Sequence, residues 1–265
     1  MSIFSEEHKK FLRKRKLNKL LIVVCQILIA TTFIFLWELA AKMNWINTFT
    51  SSSPTNVVNT LINLYNTNNL FNHIRVTVSE VLITFALAGI IGFVVASILW
   101  WNKTLAKIIE PYLTIINSLP KVALGPLIII WVGANNNSII FMALLITTFI
   151  TIINIYNGFI ATDHYYITLL KTLGAKKYQV FLKLIVPANK ENLINALKIN
   201  ISMSLIGVIM GELLVSKAGL GYLIMYGSQV FNINLVITAV VVLAVISYLM
   251  YQIVVLVEKK IVRNI

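Results

Sequence analysis

Five uninterrupted apolar runs, at residues 20–41, 80–101, 138–161, 192–215 and 235–257, are each long enough to cross a bilayer, which takes about 20 mostly apolar residues. Lipid offers the backbone no hydrogen-bond partner, so segments of this kind are either helices or strands of a closed barrel. The apolar residues here are continuous rather than alternating, which selects helices. A sixth stretch, 105–132, has the length of a span but is interrupted by Pro111, Pro120 and Pro126. The sequence therefore predicts an all-α membrane protein with six transmembrane helices. Composition excludes the main alternatives. Charged residues make up 12% of the chain, about half of the ~25% typical of a soluble domain. The same scarcity of charge, with 58% apolar residues, excludes a disordered chain. A single cysteine, Cys25, excludes a disulfide framework.

The net charge of +13 belongs to topology rather than to nucleic acid, because the cations fall between the spans. Eighteen of the 22 Lys and Arg lie on one side: seven between Glu6 and Lys19, then Lys103 and Lys107, six from Lys171 to Lys198, and three at the C-terminus. Lys42, Arg75 and Lys217 lie on the other side, and Lys121 sits inside the interrupted stretch. The positive-inside rule then places both termini in the cytoplasm of a multi-pass protein of the cell membrane. Residues 1–19 form a basic cytoplasmic segment, and residues 20–265 form one six-helix domain. The run at 20–41 is too long for a signal peptide and has no small-residue cleavage site, so it is a retained first span. The polar segment 42–79 is external, with a short helix starting at Pro54 after three serines. The internal loop 162–191 is structured. It holds an apolar-periodic stretch from Tyr166 to Leu173, then Gly174, then a second stretch from Lys176 to Val186 ending at Pro187. That pattern predicts a helix–glycine turn–helix unit at the cytoplasmic membrane face.

Signatures of catalysis are missing. No glycine-rich phosphate loop with its lysine is present, so the chain has no ATP site of that kind. His8, His73 and His164 are dispersed without metal-ligand spacing, and no serine elbow or His-Glu-x-x-His helix occurs. The expectation is a transport subunit with no catalytic residues, no metal and no cofactor of its own.

The internal loop carries the most specific motif. Thr168-Leu169-Leu170-Lys171-Thr172-Leu173-Gly174 is followed by nine residues and then Leu184-Ile185-Val186-Pro187. This resembles the cytoplasmic loop of ABC importer permeases, whose Gly-to-Pro spacing it matches. Ser118 to Leu127 with Trp131-Val132-Gly133, and Gly211-Glu212 followed by Gly219-Leu220-Gly221, resemble further signatures of the nitrate/taurine/aliphatic-sulfonate branch. The likeness runs from about residue 75 to the C-terminus. It departs at Thr168-Leu169-Leu170, where the family has Glu-Ala-Ala. The resemblance implies a type I importer permease with a coupling helix between spans four and five. Asp163, Thr168, Leu169, Leu170, Lys171, Gly174, Ala175 and Pro187 would then meet the ATPase. It also implies two ABC ATPase subunits carrying ATP and Mg, a second permease copy in a homodimer, and an external substrate-binding protein. The cargo would be a sulfonate-, taurine- or nitrate-like anion or a vitamin precursor, moved by alternating access. The rival from another class is an ion-gradient-driven secondary transporter, which would show inverted repeats and several midplane ionisable groups.

Four residues are candidates for the translocation pathway. Pro120 and Pro126 each remove a backbone donor, and the carbonyls so freed must face protein or water. Lys121 beside the break either lines a pathway or snorkels from a packed kink. Glu212 either lines an aqueous cavity or caps the Gly219-Leu220-Gly221 turn. Ala88, Gly92 and Ala96 recur every four residues, a stripe suited to close helix packing.

Overall fold

The computed structural model describes residues 6–67 and 69–262, with side chains placed from residue 11 to residue 260. The ends of the basic N-terminal segment and of the C-terminus, Arg263 included, lie outside those limits. The described residues are helical throughout, joined by short turns. A first helix, α1 (Glu6–Lys42), leads through α2 (Thr48–Ser51) to α3 (Pro54–Asn66). Ser53 caps α3 by accepting from the Asn56 N–H at 3.2 Å, and Pro54 occupies the first turn, where its missing donor costs nothing. Next comes α4 (Asn69–Trp101), whose 33 residues make a rod of about 50 Å. It starts eleven residues before its apolar run because nothing in Asn69–Ser79 breaks a helix, so His73 and Arg75 ride on its first turns. After α4 the chain forms α5 (Lys103–Ser118), a 3₁₀ turn (Lys121–Leu124), α6 (Gly125–Val132) and α7 (Asn136–Ile160). The internal loop holds α8 (His164–Thr172), α9 (Lys177–Val180), a π turn (Phe181–Ile185) and α10 (Val186–Ala188). The chain finishes with α11 (Lys190–Val215), α12 (Leu220–Gln229) and α13 (Ile233–Val262).

Five of these helices, α1, α4, α7, α11 and α13, have the length and apolarity to cross a membrane. The pair α5 and α6, bent by 82° at the break, supplies the sixth crossing. The three prolines expected to interrupt this span act differently. Pro120 makes the break: Leu119 before it is extended (φ −65°, ψ 143°), the conformation that a following proline favours. Pro126 lies in the first turn of α6, frees no carbonyl, and so starts a helix rather than interrupting one. Pro111 is carried inside α5.

The core lies where α7 and α11 pack on each other and on α4 and α13, with Val81, Ile139, Ala143, Val208 and Ala239 buried at the contact. Small residues set the approach. Ala88, Gly92 and Ala96 are all buried, and a Cβ built on Gly92 would lie 2.6 Å from the Thr151 methyl carbon. A Cβ on Gly207 would lie 2.6 Å from the Ala143 backbone. Backbone cannot yield as a side chain can, so Gly207→Leu is expected to force α7 and α11 apart. The cost should be at least the ~1–3 kcal/mol of an overpacked core, seen as lost folded yield and earlier thermal unfolding in detergent. At the opposite end of the same helices Lys198 pairs with Glu258 of α13 at 2.7 Å. α1 stands apart, exposed from Phe11 to Leu36, and its last turns meet α3 where Glu38 accepts from the Thr55 hydroxyl (2.7 Å) and N–H (3.1 Å).

Candidate functional site

The internal loop is built from local signals that the backbone satisfies in turn. Asp163 caps α8, its Oδ1 accepting from the Tyr165 N–H at 2.8 Å. The helix ends as the Gly174 N–H donates to the Lys171 carbonyl (3.0 Å) and the Ala175 N–H reaches back to Leu170 (2.9 Å). This paired closure needs a residue of positive φ between its arms, and Gly174 has φ +83°. A Cβ there would meet nothing within 4 Å. Backbone conformation alone, not space, therefore requires glycine at this position. Gln179 then accepts from the Lys176 N–H at 2.7 Å and starts α9.

Pro187 lies in the first turn of α10, just after the π turn. Its ring cannot pack over the carbonyl four residues earlier, and the wider turn makes the room. It therefore precedes the fifth span by a short step rather than opening it. Asn189, between α10 and α11, ties the unit shut: its Nδ2 donates to Thr162 Oγ1 (2.6 Å) and to the Ile185 carbonyl (2.9 Å). The unit rests on the bundle through aromatic rings. Phe181 sits 4.9 Å from Trp100 and 5.5 Å from Phe159, centroid to centroid. Lys177 donates to the Trp101 carbonyl and lies over both tryptophan rings.

The two faces of α8 differ from expectation at one residue. Ile167, Leu170 and Ala175 turn inward onto Phe159, Val180, Phe181 and Ile185. Leu170, expected in the ATPase contact, is half-buried on this inward side. The outward face carries Tyr165, Tyr166, Leu169 and Leu173, the last 75% exposed, with Thr168 and Lys171 exposed beside them. Apolar groups of this size are left uncovered by the chain itself.

At the bent span, Lys121 Nζ donates to both the carbonyl and the Oδ1 of Asn117, each at 3.2 Å, and lies 5.9 Å from the centre of the Phe149 ring. The ammonium supplies the Asn117 carbonyl with the partner that the broken helix denies it. Among the described residues Lys121 has no carboxylate partner.

Glu212 is 1% exposed. Its carboxylate accepts from the Thr77 hydroxyl and from the Gly221 N–H, both at 2.6 Å. Thr77 Oγ1 in turn accepts from the Leu220 N–H (2.8 Å), and His73 Nδ1 from the Gly219 N–H (2.9 Å). Three successive donors at the start of α12 are thus met by side chains of α4 and α11. The start of a helix presents unpaired N–H groups and favours an anion there. Of the two roles open to Glu212, the bonds within the chain are those of turn capping. Glu80, one turn from Thr77, is also buried, and neither of its carboxyl oxygens has a hydrogen-bond partner.

Residues 88–263 match the family of binding-protein-dependent transport system inner membrane components. The chain belongs to this family. Among relatives, the formylaminopyrimidine transport permease protein ThiX of Halalkalibacterium halodurans is 30% identical over 187 residues, covering 71% of this chain and 74% of that one. A protein of Bacillus subtilis named as an aliphatic sulfonates transport permease, SsuC, is 25% identical over 89% of this chain and 86% of its own. In structure the chain resembles a subunit of the MetNI methionine ABC transporter in inward-facing form, with TM-score 0.60, 20% identity, and coverage of 74% of this chain and 96% of that one.

The permease therefore has the type I ABC importer fold and is a multi-pass subunit of the inner membrane. Its family match, residues 88–263, begins at Ala88 in the middle of α4. In this permease the structure joins Asp163, Gly174 and Ala175 in one folded unit, and it keeps Lys121 and Glu212 in separate networks. Sequence reasoning missed His73, Thr77 and Asn189. The first two were readable: His73, Thr77, Glu80 and Thr84 recur at helical spacing along one stripe of α4.

Proposed function

We propose that this permease subunit works with two ATPase subunits, which hold ATP and Mg and dock on the outward face of α8. A second copy of the chain completes the pathway, and an external binding protein delivers a small solute. The supporting observation is the capped α8, which leaves Leu169 and Leu173 exposed among the described residues. Closing of the ATPase pair on ATP would bring two such helices together, and the helical bundle would carry that motion to the outer turns, giving alternating access. The cargo in this reading is a small solute of the kinds named for the relatives, a formylaminopyrimidine or an aliphatic sulfonate. Arg75 is the only arginine between residues 16 and 262. An oxyanion would therefore find no arginine cluster in the spans, and the binding protein would set most of the specificity. Both termini lie in the cytoplasm in this scheme.

The topology is tested by single cysteines in a Cys25→Ser background. Cysteines at Asn59 and Asn136 are expected to react from outside intact cells, and one at Lys177 only after permeabilisation. External labelling at Lys177 would overturn the docking assignment. The pathway is assigned to the Pro120–Lys121 break. Lys121→Glu sets a carboxylate against the Asn117 carbonyl and is expected to lower the uptake rate, with expression and ATPase binding near the parental level. Unchanged uptake would make Lys121 a structural cap only.

A further inference from the structure

A cleft of about 510 Å³ opens beside the inward face of α8. Its apolar wall is formed by Trp100, Tyr156 and Phe159, and its polar wall by Lys103, Lys171 and Lys177 with His164 at one side. No carboxylate lines it. Lys103 and Lys171 are exposed and form no ion pair among the described residues, where the pairs are Glu38–Lys42 and Lys198–Glu258. Three ammonium groups from α5, α8 and α9 thus share one concavity that no carboxylate lines; Lys177 is held by the Trp101 carbonyl and the two tryptophan rings, and Lys103 and Lys171 face it without an ion pair among the described residues. Like charges held together this way raise the local potential, and an anion relieves it. The lining has two parts: cations on one wall for a compact anion, and aromatic rings on the other for hydrocarbon. The volume is within the range of ordinary ligand pockets.

We propose that this cleft binds a phosphate-bearing anion, an anionic phospholipid headgroup or free phosphate, which bridges α5 to α8 and α9 and steadies the coupling helix. The inference rests on the cytoplasmic placement of α8 argued above. At that face the anionic lipid surface attracts clustered lysines, and basic pockets between spans take lipid headgroups.

The test uses the full chain in phosphatidylcholine nanodiscs, with Ile160→Cys on the cleft wall in a Cys25→Ser background. Alkylation of this cysteine is expected to slow as phosphatidylglycerol replaces phosphatidylcholine. Lys103→Gln with Lys171→Gln should raise the phosphatidylglycerol content needed for half-protection by about 30-fold, at roughly fivefold per lysine lost. Lys103→Arg with Lys171→Arg should retain protection, which separates loss of charge from loss of fold. Protection by inorganic phosphate added to phosphatidylcholine discs, without an effect of phosphatidylglycerol, would support the site and make free phosphate its source. Two outcomes overturn it: no protection by either probe, or equal protection in the parent and the Gln variant. Protection by the ATPase subunits alone would give the cleft to the docking interface and also overturn it. The same cysteine reports the underlying reading separately. If it reacts from outside intact cells, the topology fails; if only from inside, without protection by either probe, the phosphate site alone fails.

Discussion

Glu212→Ala is expected to loosen the start of α12 and to lower the thermal stability of the permease sharply. The substitution removes two buried hydrogen bonds at once, to the Thr77 hydroxyl and the Gly221 N–H. Each such bond contributes about 1 kcal/mol, and each buried donor left without its acceptor adds a desolvation cost of about 1–3 kcal/mol. A loss of about 3–5 kcal/mol follows, large against the stability of most proteins. The alanine also leaves a void where a buried carboxylate was. Glu212→Gln keeps an acceptor oxygen and should lose about half as much. The measurement is thermal unfolding of the purified chain in detergent, with the accessibility of a single cysteine at the buried Leu220 as the local readout. Melting of the alanine variant at the parental temperature would mean that these bonds do not hold the outer turn.

The largest expected functional effects are at the end of α8. Gly174→Val keeps all the space it needs, since a Cβ there meets nothing within 4 Å. It pays instead in backbone strain at φ +83°, on the order of 1–2 kcal/mol for a residue with a Cβ. That is too little to unfold the bundle, but relieving it rotates the two closing hydrogen bonds and re-aims Leu173. Leu173→Asp leaves the backbone alone and puts a charge on the outward face. Both variants are expected to insert at parental levels, with uptake falling by tenfold or more, because an unpaired charge buried in a contact costs a few kcal/mol. Gly174→Ala should be intermediate. Leu170→Asp tests the inward face: it should destabilise the loop itself and be seen in unfolding as well as in uptake. Parental uptake in both Gly174→Val and Leu173→Asp would reduce α8 to an interfacial helix.

The spans were legible because lipid demands long apolar runs, and a run of that length declares itself without any partner. Breaks were legible by position but not by kind. Three prolines stand in one stretch, and only the backbone shows that Pro120 bends the chain while Pro126 begins a helix. The Gly174 turn was readable, since the bonds that close it are local. The direction of Leu170 was not. In a helix of nine residues with leucines at 169, 170 and 173, both faces are apolar, and the buried one is chosen by Phe181 and Phe159 from other elements. Glu212 was undecided for a similar reason. Its main partner, Thr77, lies 135 positions earlier, and only the packing of α4 on α11 brings the two together.

A photo-activated cross-linker at Leu173, in the permease purified with its ATP-hydrolysing partner, tests the central claim most directly. The cross-link is expected to form to the ATPase subunit from Leu173 and to be lost when the probe is moved to the inward-facing Ile167. A probe at Leu173 that captures only lipid, in a complex that still assembles and transports, would contradict it.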